Sequence, residues 1–102
     1  MKAVKVQYTV KPEFVEENKN NIQKVMSALN ANPIAGMQYS SYTDDENPNT
    51  FIHINMAKDG ETMSKLNDLK EFAEFRMALK TSQPVSPPKQ TKLNFVGAGF
   101  SI

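Results

Sequence analysis

The chain has 102 residues, enough for one domain with a single core and little spare volume for a deep cavity inside one subunit. Twelve basic and eleven acidic residues leave a formal charge of +1, which gives no field to draw in nucleic acid or an anionic bilayer, and no apolar run nears the roughly 20 residues that span a membrane. The absence of cysteine excludes disulfides, thiolate metal sites and a thiol nucleophile. A soluble, cytoplasmic protein is expected, since the opening MKAVKVQYTV alternates instead of forming the apolar core of a signal peptide.

From Lys2 to Val10, Val4, Val6, Tyr8 and Val10 share one parity and Lys5, Gln7 and Thr9 the other, the period of a strand with one apolar face. Pro12 suits a first helical turn, and Glu13, Glu16 and Glu17 complement the positive end of a helix dipole, so a helix is predicted over Pro12–Ala31. Its apolar residues Phe14, Val15, Ile22, Val25, Met26 and Leu29 fall in one arc of the 3.6-residue wheel. Asn18 falls in the middle of that arc.

The run NANPIAG stops the helix and turns the chain, and MQYSSYT then has the aromatic and hydroxyl content of a strand. DDENPN reads as a hairpin loop and TFIHINM as the third strand. Beyond Gly60 a short helix is expected near Glu61–Leu66, a bend at Asn67 and Asp68, and a longer helix to about Lys80. Its apolar surface comes from Phe72, Phe75, Met77 and Leu79, and DLKE (Asp68–Glu71) has the form of a capping box. The proline-rich TSQPVSPPKQ points to an extended connector without regular structure, and TKLNFVGAGFSI to a last strand in which Gly97 and Gly99 relieve crowding at a bend.

The order βαββαβ in one domain, 1–102, predicts an α+β class: a ferredoxin-like sandwich with a four-stranded antiparallel sheet, the first and third strands central and both helical segments on one face. With Ile52, Ile54 and Met56 turned toward the helices beside Val4, Val6, Tyr8 and Val10, His53 and Asn55 are expected on the opposite face with Lys5, Gln7 and Thr9.

Few residues carry chemistry. His53, the only histidine, could act as a general base with Asn55 two residues on, but no carboxylate is placed beside it by local spacing, which favours a hydrogen-bonded or solvated imidazole. One histidine without cysteine is a poor start for a metal site, and the acidic triplet Asp44–Glu46 reads as a solvated turn. Gly97–Gly99 is no phosphate loop, because no GK[ST] follows. Asn18 needs a partner if buried; either it reaches solvent or a nearby carbonyl, or it aims an amide into a pocket between helix and sheet. Tyr39, Phe51, Met56, Phe72 and Phe75 could line such a space or simply fill the core.

The segment TFIHINMAKDGETMSKLNDLKEFAEF (Thr50–Phe75), together with KPEFVEENKNNI after the first strand, resembles the antibiotic biosynthesis monooxygenase family of dimeric α+β barrels. The shared features are an aromatic opening the third strand, a short acidic link, a small helix and a phenylalanine-rich second helical segment. The resemblance implies a homodimer whose sheets form a shared barrel, with a hydrophobic pocket between helices and sheet in each subunit. Active members oxidise electron-rich aromatic substrates with dioxygen and no metal or organic cofactor; haem-degrading relatives bind haem, and others do neither. The chain departs from the family where an acidic residue is common in the third strand, here Asn55, and where a histidine is common in the short helix, here Leu66; it has no tryptophan.

These features lead to an expected cofactor-independent oxygenase-like protein, with Asn18, Tyr39, His53, Asn55 and Phe72 as candidate ligand-binding residues, no assigned catalyst and no metal, flavin or haem. Its partners would be a second copy of itself and a small aromatic or apolar ligand, without nucleic acid or membrane. The alternative is a non-catalytic small-ligand-binding or dimeric interaction module. An RNA-recognition domain has the same element order, but TFIHINM and TKLNFVGAGF lack its aromatic stacking motif.

Overall fold

The alternation of the first residues becomes strand β1 (Lys2–Thr9) in the computed structural model, which describes residues 1–102. Pro12 opens a single 3-10 turn at Pro12–Phe14 that runs directly into α1 (Val15–Ala31), its first turn lined by Glu16 and Glu17. There follow β2 (Met37–Thr43), β3 (Thr50–Ala57), α2 (Gly60–Ser64) with a 3-10 turn at Lys65–Asp68, α3 (Lys70–Thr81) and β4 (Ser86–Leu93). The strands pair antiparallel in the order β2-β3-β1-β4, so β1 and β3 are central as expected. Tyr8, Val10 and Phe51 from the sheet side pack with Ile22 and Val25 of α1 and Phe75 and Leu79 of α3, which places both long helices on one face of a ferredoxin-like α+β fold.

The register between β1 and β3 reverses one expectation. Val4, Val6 and Tyr8 lie opposite Asn55, His53 and Phe51, and residues directly opposed in an antiparallel pair share a face. His53 and Asn55 therefore face the helices, while Ile52, Ile54 and Met56 lie on the outer face with Lys5, Gln7 and Thr9. The physical reason is ring packing: Phe51 and His53 stack on Tyr8 at centroid distances of 5.6 and 5.3 Å, and the imidazole meets enough hydroxyls to be buried without loss. The outer face is left with the half-buried Ile52, Ile54 and Met56, joined by the exposed Tyr42 and Leu93.

The proline-rich stretch also differs from expectation. Pro87 and Pro88 lie within β4, an edge strand, where a missing backbone N–H is tolerated. Gln7 pairs with Lys89 and Thr9 with Ser86, so the two prolines together oppose Tyr8 in a bulge. The last strand ends at Leu93 instead of running to the terminus, and a Cβ at Gly97 or Gly99 would meet nothing within 4 Å, so neither glycine relieves crowding. In the second helical region the side-chain cap is Asp59, which accepts from the Thr62 backbone N–H at 2.8 Å. That hydrogen bond holds the Asp59 carboxyl below its usual range. α3 begins instead after Leu69, in extended backbone and without a side-chain cap, so the capping box read at Asp68–Glu71 does not form. Met77 points outward, 65% exposed.

Candidate functional site

The same register that turns His53 inward assembles the site. On the helix-facing side of the sheet, β2 places Tyr39 opposite Asn55 and Ser41 opposite His53, while β1 places Tyr8 and Val6 alongside. Above them, Phe72, Phe75, Arg76 and Leu79 of α3 are spaced i, i+3, i+4, i+7 and so descend one stripe of the helix onto the sheet. A cavity of about 530 Å³ lies between these surfaces, rimmed by Met63 and Leu66 from the α2 region and by Pro88 and Gln90 of β4. A second groove of about 520 Å³, between α1 and β2, also touches Tyr39 and Ser41, but His53 does not line it.

Five side chains form a connected polar network beneath the cavity. Asn18 is fully buried, and its Nδ2 donates to the Tyr8 hydroxyl at 2.9 Å. With one lone pair taken by that hydrogen bond, the Tyr8 hydroxyl donates to His53 Nε2, 2.7 Å away. A neutral imidazole with Nε2 accepting carries its hydrogen on Nδ1, which faces Ser41 Oγ at 2.6 Å and Tyr39 Oη at 2.9 Å. The chain thus has a direction, from Asn18 through Tyr8 and His53 to the β2 hydroxyls. Aromatic contacts hold the rings in place: His53 stacks on Tyr39 at 5.8 Å and tilts against Phe75 at 5.4 Å, and Phe72 meets Tyr39 edge-on at 6.0 Å.

Burial governs the electrostatics. His53 is 3% exposed, and desolvation of its charged form lowers its pKa from 6.5 to about 4, so the ring is neutral at ordinary pH. Desolvation likewise pushes Tyr8 and Tyr39 well above the usual phenol range, against the smaller opposing effect of the Asn18 and Ser41 hydrogen bonds. The floor is therefore hydrogen-bonding and uncharged. Two acceptors there are buried without partners, Asn18 Oδ1 and Asn55 Oδ1. No group of three or more His, Asp or Glu side chains gathers anywhere in the structure.

Of the residues singled out in the sequence, Tyr39, His53, Asn55 and Phe72 line the cavity together, and Asn18 lies one hydrogen bond behind it, through Tyr8. Tyr8, Ser41 and Arg76 also belong to the site and had not been singled out. Their signals were present, since Tyr8 shares the parity of Val6, Ser41 that of Tyr39, and Arg76 stands four residues after Phe72.

The fold is one shared with solved structures, among them proteins described as antibiotic biosynthesis monooxygenases, at sequence identities that carry the small ferredoxin-like α+β architecture alone. A crystal structure described as an antibiotic biosynthesis monooxygenase matches with a TM-score of 0.81 and 15% identity, covering 95% of this chain and all of that one. A Nitrosomonas europaea protein carrying the same name in qualified form gives a TM-score of 0.83 at 13% identity, over 95% of this chain and 100% of its own. Rv0793 from Mycobacterium tuberculosis gives 0.81 at 10% identity, over 97% and 98%. No family model matches the sequence, and no curated protein matches it. No helix is long and apolar enough to cross a membrane.

Proposed function

We propose that the cavity between α3 and the sheet binds a small, largely aromatic molecule, and that the protein acts on it as an oxygenase of the cofactor-independent kind. The observation that carries this reading is the cavity itself: about 530 Å³, walled by Phe72, Phe75 and Leu79 and floored by a hydrogen-bonded Tyr8–His53–Tyr39 cluster. Apolar walls with a few convergent polar groups are the usual form of a small-molecule site. In such chemistry a phenol gives its proton to solvent on entry, the phenolate passes one electron to dioxygen, and the two radicals join in a C–O bond. The resulting peroxide takes up a proton and loses water to leave a quinone, so that naphthol and dioxygen give naphthoquinone and water; the protein's part is to orient the ring and shield the intermediate. Tyr39 and Phe72 would stack on the ring, and the Asn55 amide would meet its polar substituent.

A second reading, binding without turnover, is favoured by a specific observation. The residues at the floor supply no carboxylate, and His53, with both nitrogens engaged and a lowered pKa, is a weak base. Aerobic incubation with 1-naphthol, followed by mass spectrometry of the products and calorimetry of binding, separates the two. Oxygenated naphthol supports the enzyme; saturable binding without product supports the binding module; absence of both refutes the pocket.

The assembly we propose is a homodimer, as the resemblance implies, closed through the outer face of the sheet. The face expected from sequence carried His53 and Asn55; the face that supports the proposal carries Ile52, Ile54, Met56, Tyr42 and Leu93, an apolar stripe better suited to a partner copy.

A further inference from the structure

The cavity is neutral at its floor and charged at one point of its mouth. Arg76 is the only arginine in the chain, and no aspartate or glutamate lines the cavity beside it. Its guanidinium carbon lies 5.8 Å from the centre of the Phe72 ring, and Nη1 donates only a long hydrogen bond, 3.4 Å, to Asn67 Oδ1. A guanidinium has five N–H donors in a planar fork, so most of those of the exposed Arg76 are uncommitted, at a cavity whose lining holds no carboxylate. Phe72 in turn meets Tyr39 edge-on, and Tyr39 stacks on His53, so one aromatic wall runs from the cation to the floor. The floor rejects charge, because desolvation keeps the imidazole and both phenols neutral.

Resting on the reading that the cavity binds a small aromatic molecule, we propose that Arg76 sets its specificity: the preferred ligand is an aromatic carboxylate, its ring against Phe72 and Tyr39 and its anion at the mouth in the guanidinium fork. A planar carboxylate matches the two parallel N–H groups of arginine, whereas a neutral amide or ester offers a single carbonyl acceptor. Because Arg76 is exposed, water screens the pair and the preference is moderate.

The test is calorimetric titration of the full-length protein with 2-naphthoate and with its neutral isostere 2-naphthamide, at about 20 mM and about 300 mM salt. The wild-type protein is expected to bind the naphthoate at least about fivefold more tightly at low salt, with the gap narrowing at high salt. Arg76→Gln, a surface change that leaves the core intact, should bring the two affinities together, whereas Lys70→Gln, one cation fewer on the same helix but outside the cavity, should leave the gap unchanged. Equal binding of amide and acid to the wild type, or a gap that survives Arg76→Gln, overturns the role of Arg76 while leaving the aromatic pocket standing. Failure of both probes to bind overturns the pocket and this inference together.

Discussion

Acidification should destabilise this protein through one ring. His53 has a pKa of about 4 in the fold against an ordinary 6.5, so between those values the unfolded chain binds a proton that the folded chain refuses. Stability is full above pH 6.5 and falls as pH drops toward 4, by about 1.4 kcal/mol for each pH unit and about 3 kcal/mol across the interval. Against a total of roughly 5–15 kcal/mol this is a large share. The structure gives the reason in atoms. A protonated ring has two N–H donors, but the Tyr8 hydroxyl already accepts from Asn18 and uses its own proton on Nε2; with Nε2–H facing it, that hydroxyl keeps an acceptor only if the Asn18 amide turns over to present Oδ1, which leaves Nδ2 facing away from it. The groups packed around the ring are Tyr8, Tyr39, Ser41 and Phe75, none of them an anion that could offset the charge. Urea unfolding from about pH 7.5 to about pH 4.5 measures the effect, with His53→Gln as the reference, because carboxylate titrations are common to both proteins and cancel in the difference. The wild type should lose stability faster by the amount given. Parallel curves for the two proteins would refute the reasoning.

Asn18→Leu removes an orphaned acceptor along with the bond to Tyr8, so unfolding should show a change within about 1 kcal/mol, while ¹⁵N NMR finds His53 no longer held in the Nδ1–H form; a loss above about 3 kcal/mol would contradict this. Gly36 has φ +79°, and an added Cβ would come within 2.8 Å of Lys58 Cδ, so Gly36→Ala should cost about 1–2 kcal/mol in the same assay. Ile54→Lys, on the outer face of a central strand, should turn a dimer of about twice 11.4 kDa into a monomer by sedimentation; an unchanged mass would remove this face from the interface. Deleting Ala98–Ile102, which carries the exposed Phe100 and Ile102, should weaken self-association more than it lowers the unfolding midpoint.

The element order was legible because local signals agreed: strict alternation in β1, Pro12 and the glutamates at the head of α1, and Asn, Pro and Gly between elements. The orientation of β3 was not. Both of its parities are credible cores, Phe51–His53–Asn55 against Ile52–Ile54–Met56, and apolar character alone selects the isoleucines. What decided otherwise was non-local: the hydroxyls of Tyr8, Tyr39 and Ser41, 45, 14 and 12 residues away from His53, satisfy the imidazole only when it faces inward. Asn18 was visible as a polar residue inside an apolar arc, but its partner on β1 was not. β4 was misread because proline argues against a strand unless the strand is known to lie at an edge, and edge position is a property of the assembled sheet.

The prolines of β4 have a consequence for what the sheet can become. A sheet lengthens sideways, into fibrils or swapped assemblies, only where a rim offers a continuous row of amide hydrogens and carbonyls to an incoming chain. Successive N–H groups of a strand point to opposite sides, so of the two amide hydrogens missing at Pro87 and Pro88 one is lost from the outer rim, and the bulge twists the rim at the same place. Lateral growth is hindered at that end of β4, and β2, whose outer rim carries no proline along its whole length, is the more open edge for another strand.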